Sequence, residues 1–176
     1  MGLTMKLSAR LEWAPTWLMI AEERVAAAIS ARLVGPAALA QEFHASVMAI
    51  SASAAAVEAQ RKQSITGDAT PLTKPPKRLL PDGRQRGSNK GARLGQYLVE
   101  RGAIDSDLAQ ALGRLFDLRN DSLHPYSDFE EPIPHPTGVD VSPEVAIYNA
   151  DEAMESLRVA QEVTKALADL EGGRDG

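Results

Sequence analysis

The chain has no cysteine in its 176 residues, and that absence removes disulfide frameworks, thiolate zinc sites and cysteine nucleophiles together. Histidine is scarce as well. The three present, His44, His124 and His135, are scattered, which argues against a His-rich metal site, so we expect no metal and no other cofactor. Long apolar runs are missing too. Residues 17–21 are apolar but are followed at once by Glu22, Glu23 and Arg24, far short of the roughly 18 residues a membrane span needs. The start, Met-Gly-Leu-Thr-Met-Lys, lacks the Ser or Thr that a myristoylation signal wants at its sixth position. The expectation is a soluble, cytoplasmic protein without a membrane partner. Aromatic residues make up only 5% of the chain. Alanine is abundant, and apolar spacing is helical almost everywhere outside two loops, which points to an all-α fold.

The length suits a single domain over residues 1–176, large enough to bury its own core. A formal net charge of -5 conceals a segregation: residues 61–93 hold nine Lys or Arg against two acids, and the remainder holds ten against twenty-two. A basic block on an acidic body suits contact with a polyanion, although a solvated flexible loop accounts for it equally well. Lys74, Lys77 and Arg78, at its centre, are the substrate-binding residues we expect.

The spacing predicts an antiparallel bundle of about five helices. The first runs from about Pro15 to Leu33, with Trp17, Ala21, Val25, Ala28 and Ile29 recurring at three- and four-residue steps, and Gly35-Pro36 ends it. The second, about Pro36 to Lys62, carries the seam Leu39, Phe43, Val47, Ile50, Ala54 and Val57. Only small side chains occur from Ser51 to Ala56, and no charge from Ala45 to Val57, so this helix belongs at the centre. Residues 63–92 lose periodicity and form a long basic loop. Ser88 or Asn89 can cap a third helix that Gly102 stops, and Asp105 opens a fourth along Leu108, Ala111, Leu112, Leu115 and Phe116. A Pro-rich extended loop follows, over about 127–143. The last helix begins near Asn149, with Glu152 as its expected reciprocal capping partner and Ala153, Leu157, Ala160, Thr164 and Leu167 on one face.

The fourth helix runs into Arg119-Asn120-Asp121-Ser122-Leu123-His124-Pro125-Tyr126. Nowhere else does the chain gather a permanent cation, an amide, an imidazole and a phenol. Arg119 lies three and four residues beyond Phe116 and Leu115, which places its stem on the core-facing stripe. Five positions on an unbroken helix rotate a side chain by about 140°. The residue before a proline is pushed out of the helical region, so His124 is expected to leave the helix and turn back toward Arg119 and Asn120.

Arg-Asn, three residues and His resembles the signature of the HEPN superfamily of small helical proteins, many of them ribonucleases. Tyr126 extends the match to the Arg-x4-His-x-Tyr form of the toxin branch. The resemblance implies a helical bundle, a homodimer that pairs two motifs across its interface, and cleavage of RNA. The chemistry of RNA agrees: the 2'-hydroxyl is a built-in nucleophile, so a base, an acid and positive charge on the transition state suffice without metal. His124 would serve as base or acid, Arg119 as the charge clamp, and Asn120 would hold the phosphate or the imidazole. One imidazole does not easily serve both sides of a phosphorus, and a twofold dimer supplies two. The resemblance further implies a toxin or defence effector with an antitoxin partner. In that branch a nucleotidyltransferase silences the nuclease by attaching AMP to the motif tyrosine, here Tyr126. A HEPN-like dimer that binds nucleic acid or nucleotide without turnover, and a helical scaffold with an accidental motif, stay open.

Other features read as structural. His44 is a lone helical histidine, and His135 lies between prolines in a loop. Glu58 would pair with Arg119 or sit exposed at a helix end. Gly87-Ser88-Asn89-Lys90-Gly91 opens a helix, but no preceding strand or Gly-Lys-Ser/Thr ending supports a nucleotide loop.

Overall fold

Small side chains decide how the three longest helices meet. In α1 (Trp13–Val34), Ala14, Ala21, Val25, Ala28 and Ala31 are buried, and α2 (Leu39–Ser64) buries Ala45, Ala49, Ala52, Ala54 and Ala56. Ala28 packs with Ala45 and Ala150, and Val25 with Ala49 and Ala153, so α1, α2 and the last helix share alanine contacts. Ile29, expected on the inner face, is 36% exposed. This computed structural model describes residues 13–65, 70–75, 77–79, 85–122 and 131–172.

α2 lies at the centre, touching α1, α4 (Ser106–Ser122) and α6 (Ala150–Gly172). The main core is larger-grained than the alanine layer. Ile50 and Val57 of α2 pack with Leu94 and Leu98 of α3 (Lys90–Val99), Leu112, Leu115 and Phe116 of α4, and Val163 and Leu167 of α6. Burying a side chain of this size stabilises the fold by about 1.5–3 kcal/mol. The expected all-α bundle is therefore the observed one.

The ends of the helices follow local chemistry. Gly35, at φ 86°, turns the chain out of α1 into a short 3-10 turn, Pro36–Ala38. Asn89 caps α3, its Oδ1 accepting from the Ala92 amide at 2.7 Å. α3 ends in a Schellman arrangement: Ala103 N donates to Leu98 O and Gly102, at φ 66°, to Val99 O. Asp105 Oδ1 accepts from Leu108 N at the start of α4, and Asn149 Oδ1 from Asp151 N and Glu152 N at the start of α6. Glu152 departs from expectation. It does not reach back to the Asn149 amide, which bonds Ile147 O, but pairs with Arg114 of α4.

Both loops hold more structure than their composition suggested. The basic one contains a two-residue antiparallel ladder, β1 (Arg78–Leu79) with β2 (Gln85–Arg86). The Pro-rich one contains β3 (Ile133–Pro134) paired with β4 (Asp140–Val141), then a one-turn helix, α5 (Pro143–Ile147). Gly138, at φ 83°, makes the β3–β4 turn, where His135 N donates to Val139 O at 2.8 Å. Pairs this short leave no period-two pattern to read.

Candidate functional site

α4 delivers Arg119 and Asn120 on its last turn, both half-buried. Arg119 Nη1 donates to Asn120 Oδ1 at 3.3 Å, so the guanidinium and the amide lie side by side. The carbonyls at a helix C-terminus lack helical donors. Here Ser122 Oγ donates to Arg119 O at 2.8 Å, and the buried Tyr148 hydroxyl donates to Leu118 O at 2.8 Å. Tyr148 itself stands edge-on to Phe43. A third fastening comes from α3, where Asn89 Nδ2 donates to Gly113 O at 2.8 Å and to Asp117 Oδ1 at 2.9 Å. Tertiary contacts thus fix the helix end that carries the arginine and the amide.

His124 and Tyr126, together with Leu123 and Pro125, lie outside the described residues. Lys74 and Lys77 are exposed, and Arg78 is placed as the first residue of β1. The segment before them is anchored at the far end of α3: Glu100 accepts from Leu72 N, Thr73 N and Thr73 Oγ1 at 2.6–2.8 Å. The Thr73 hydroxyl first, and the Leu72 and Thr73 amides with Gln96, hold the Glu100 carboxyl down to about 2. Glu58 does not meet Arg119; its carboxylate faces Lys90 at 3.6 Å. His44 is exposed on α2. Gly91 cradles no phosphate, because a Cβ there would meet Leu112 O at 2.5 Å and the Phe116 ring at 2.6 Å. Its lack of a side chain lets α3 press against α4.

That close approach produces a feature the sequence did not single out. A cleft of about 200 Å³ lies between the end of α2, the start of α3 and α4, lined by Glu58, Arg61, Lys62, Lys90, Arg93, Leu94 and Phe116. Four cations face one acid. Asn120 shares a face of α4 with Gly113, Phe116 and Asp117, so the arginine and amide begin one helical turn beyond the cleft wall. A larger hollow, about 440 Å³, lies by the α3–α4 turn and α6, with Arg101 and Lys165 offset by Asp105, Glu162 and Asp169.

A second polar cluster also went unread. Glu42 is 1% exposed. Its Oε1 accepts from Arg32 Nε at 2.9 Å and from the amide of Ala150, the first residue of α6, at 3.0 Å. His135, 4% exposed, brings Nε2 to 3.8 Å from the same oxygen. The Thr137 amide donates to His135 Nδ1, which turns Nε2 toward Glu42. A carboxylate at the start of a helix is favoured by the macrodipole, which gives the cluster a structural reason to exist. Among the described residues, no group of three or more His, Asp or Glu is arranged to hold a metal ion. No helix there is long and apolar enough to cross a membrane.

Comparison with protein-family models, with curated proteins and with solved structures finds no match to this chain.

Proposed function

We propose that this protein is a metal-independent endoribonuclease of HEPN type, cleaving RNA by attack of the 2'-hydroxyl on the adjacent phosphate. The observation that carries the reading is the pairing of Arg119 with Asn120 on the final turn of α4, on the flank that leads into a basic cleft. In this reading the Arg119 guanidinium holds the phosphoryl oxygens through two parallel hydrogen bonds and offsets the charge that builds on phosphorus. His124, two residues after Ser122 in sequence, takes the proton of the 2'-hydroxyl or supplies one to the departing 5'-oxygen. A twofold dimer provides the second imidazole. The products are a 2',3'-cyclic phosphate and a 5'-hydroxyl.

The test is cleavage of single-stranded RNA by the purified chain in EDTA, beside Arg119→Ala and His124→Ala, with light scattering on the same samples. Expected are a dimer, cleavage by the parent chain, loss of at least a hundredfold in each variant, and no action on DNA, which lacks the nucleophile. Cleavage that needs a divalent metal, or that survives in both variants, overturns the mechanism. RNA binding without cleavage by the parent chain would instead make it a binding dimer. A role as a toxin or defence effector, with an antitoxin or nucleotidyltransferase acting on Tyr126, belongs to the same proposal, and mass spectrometry after co-expression would reveal AMP on that tyrosine.

A further inference from the structure

The basic cleft is built against its own electrostatics. Arg61 and Lys62 sit in the last turn of α2, where a helix dipole welcomes cations, so those two alone need no ligand. Lys90 and Arg93 are different. They occupy the first turn of α3, which contains no acidic residue, and there the dipole disfavours positive charge. Arg61, Lys62 and Arg93 have no carboxylate partner among the described residues, and Glu58 reaches only Lys90, at 3.6 Å. The tight seat of Gly91 on α4 holds this crowd of like charges together. An anion is what relieves it.

Size and lining say which anion. A volume of about 200 Å³ is below the roughly 300–1,000 Å³ of pockets that enclose whole small molecules, and it suits one or two phosphates. Phe116, the one aromatic in the lining, is 2% exposed, so no ring face is offered for a base to stack on. Recognition is therefore of backbone charge and not of base identity.

We infer that this cleft is a subsite for the phosphodiester backbone of single-stranded RNA, holding a phosphate that flanks the one at Arg119. The inference rests on the RNA-cleaving reading for its choice of polymer. It also relocates the contact from the centre of the basic block to its two ends. Lys74 follows the Glu100 anchor, about 15 Å along α3 from Lys90.

The experiment uses the full chain and a fluorescein-labelled 12-nucleotide RNA carrying 2'-O-methyl groups throughout, which binds without being cleaved. Anisotropy is followed from 50 to 200 mM KCl for the parent chain, Arg61→Gln/Arg93→Gln, Lys62→Gln/Lys90→Gln and Lys74→Gln/Lys77→Gln. The log–log salt slope falls by about 0.7 for each single-strand phosphate no longer neutralised, so losing the one cleft phosphate through either pair flattens it by about 0.7. Over that fourfold salt range the parent's extra loss of affinity is then roughly two- to threefold. Smaller changes are expected for the loop pair. Two cleft pairs guard against one failing to fold. Unchanged slopes in a folded cleft pair overturn the inference, as does displacement of the RNA by an equal phosphate concentration of pyrophosphate, which would mark a small-anion site. Cleavage of the unmodified RNA separates the two claims: binding with cleft dependence but no cleavage by the parent chain removes the catalytic reading alone, and cleavage with cleft-independent binding removes the subsite alone.

Discussion

Replacing Glu42 by alanine strikes a point where four elements meet. The carboxylate bonds Arg32 of α1 and the first amide of α6 from its place in α2, and His135 of the β3–β4 turn stands beside it. Removing one member of a buried ion pair costs about 3–5 kcal/mol when the other is stranded. Arg32 is not stranded. It keeps Asp151 at 2.7 Å and Asn149 Oδ1 at 3.1 Å, and about a fifth of its side chain reaches solvent. What is stranded is the buried Ala150 amide, worth about 1–3 kcal/mol, with the space left by the side chain adding to it.

We therefore expect Glu42→Ala to cost about 3 kcal/mol, the low end of the buried-pair range. Glu42→Gln, which retains an oxygen for Ala150 and Arg32, should cost about 1–2 kcal/mol. Either leaves a folded protein if the parent stability lies in the common range of about 5–15 kcal/mol. Urea unfolding measures the difference: with a slope of about 1–3 kcal/mol per molar, the alanine variant's midpoint falls by about 1–3 M. A fall below about 0.3 M at unchanged slope would refute the reasoning, because the carboxylate would then carry little of the junction.

Gly91→Ala should destabilise by about 2 kcal/mol, since the added methyl meets backbone as well as the Phe116 ring and the helix-propensity gain is smaller than that clash. Its melting temperature should drop by about 4–8 °C, and an unchanged one would mean that α3 and α4 pack less closely than described. The Glu100 carboxyl, held down to about 2 chiefly by the Thr73 hydroxyl, keeps its grip on Leu72 and Thr73 above that pH and loses it as pH falls through about 2. Carbon-13 titration of Glu100 checks this, and a midpoint at an ordinary glutamate value counts against the anchor. Tyr148→Phe removes the hydroxyl bonded to Leu118 O, at a cost of about 1 kcal/mol, and on the proposed RNA-cleaving reading should lower kcat for RNA more than it raises KM. Equal kcat in parent and variant would show that the end of α4 is held without it.

The elements that local chemistry determines were legible. Asn89, Asp105 and Asn149 announced helix starts, Gly102 announced a stop, and the charge-free centre of α2 announced burial on several sides. The position of Arg119 and Asn120 at the end of α4 followed from the same stripe that buries Leu112, Leu115 and Phe116. Glu42 was not legible because its partners, Arg32 and Ala150, lie 10 and 108 residues away, and an acid in the first turn of a helix ordinarily needs no tertiary explanation. The cleft was half legible. The basic block was visible as a charge excess, but charge counting weights its centre and its ends alike. Only the fold shows that the residues at the two ends, Arg61 and Lys62 against Lys90 and Arg93, line one hollow.

The Glu42 cluster, which sequence reasoning missed, and the Arg119 end of α4 are joined through one junction. Glu42 holds the amide of Ala150, Asn149 caps the same helix, and Tyr148, the residue before it, reaches the carbonyl of Leu118 one position ahead of Arg119. A carboxylate buried at the start of α6 thus sets the backbone that orients the end of α4. The consequence is separable from simple loss of stability. At low temperature, where Glu42→Gln is fully folded, a shifted junction moves Tyr148 and with it the Arg119 guanidinium, so on the proposed RNA-cleaving reading kcat per folded molecule should fall. Displacement of catalytic groups by about 1 Å is costly because the hydrogen bonds that stabilise a transition state depend on placement. A variant that lost stability but kept full activity per folded molecule would confine Glu42 to holding the helices together.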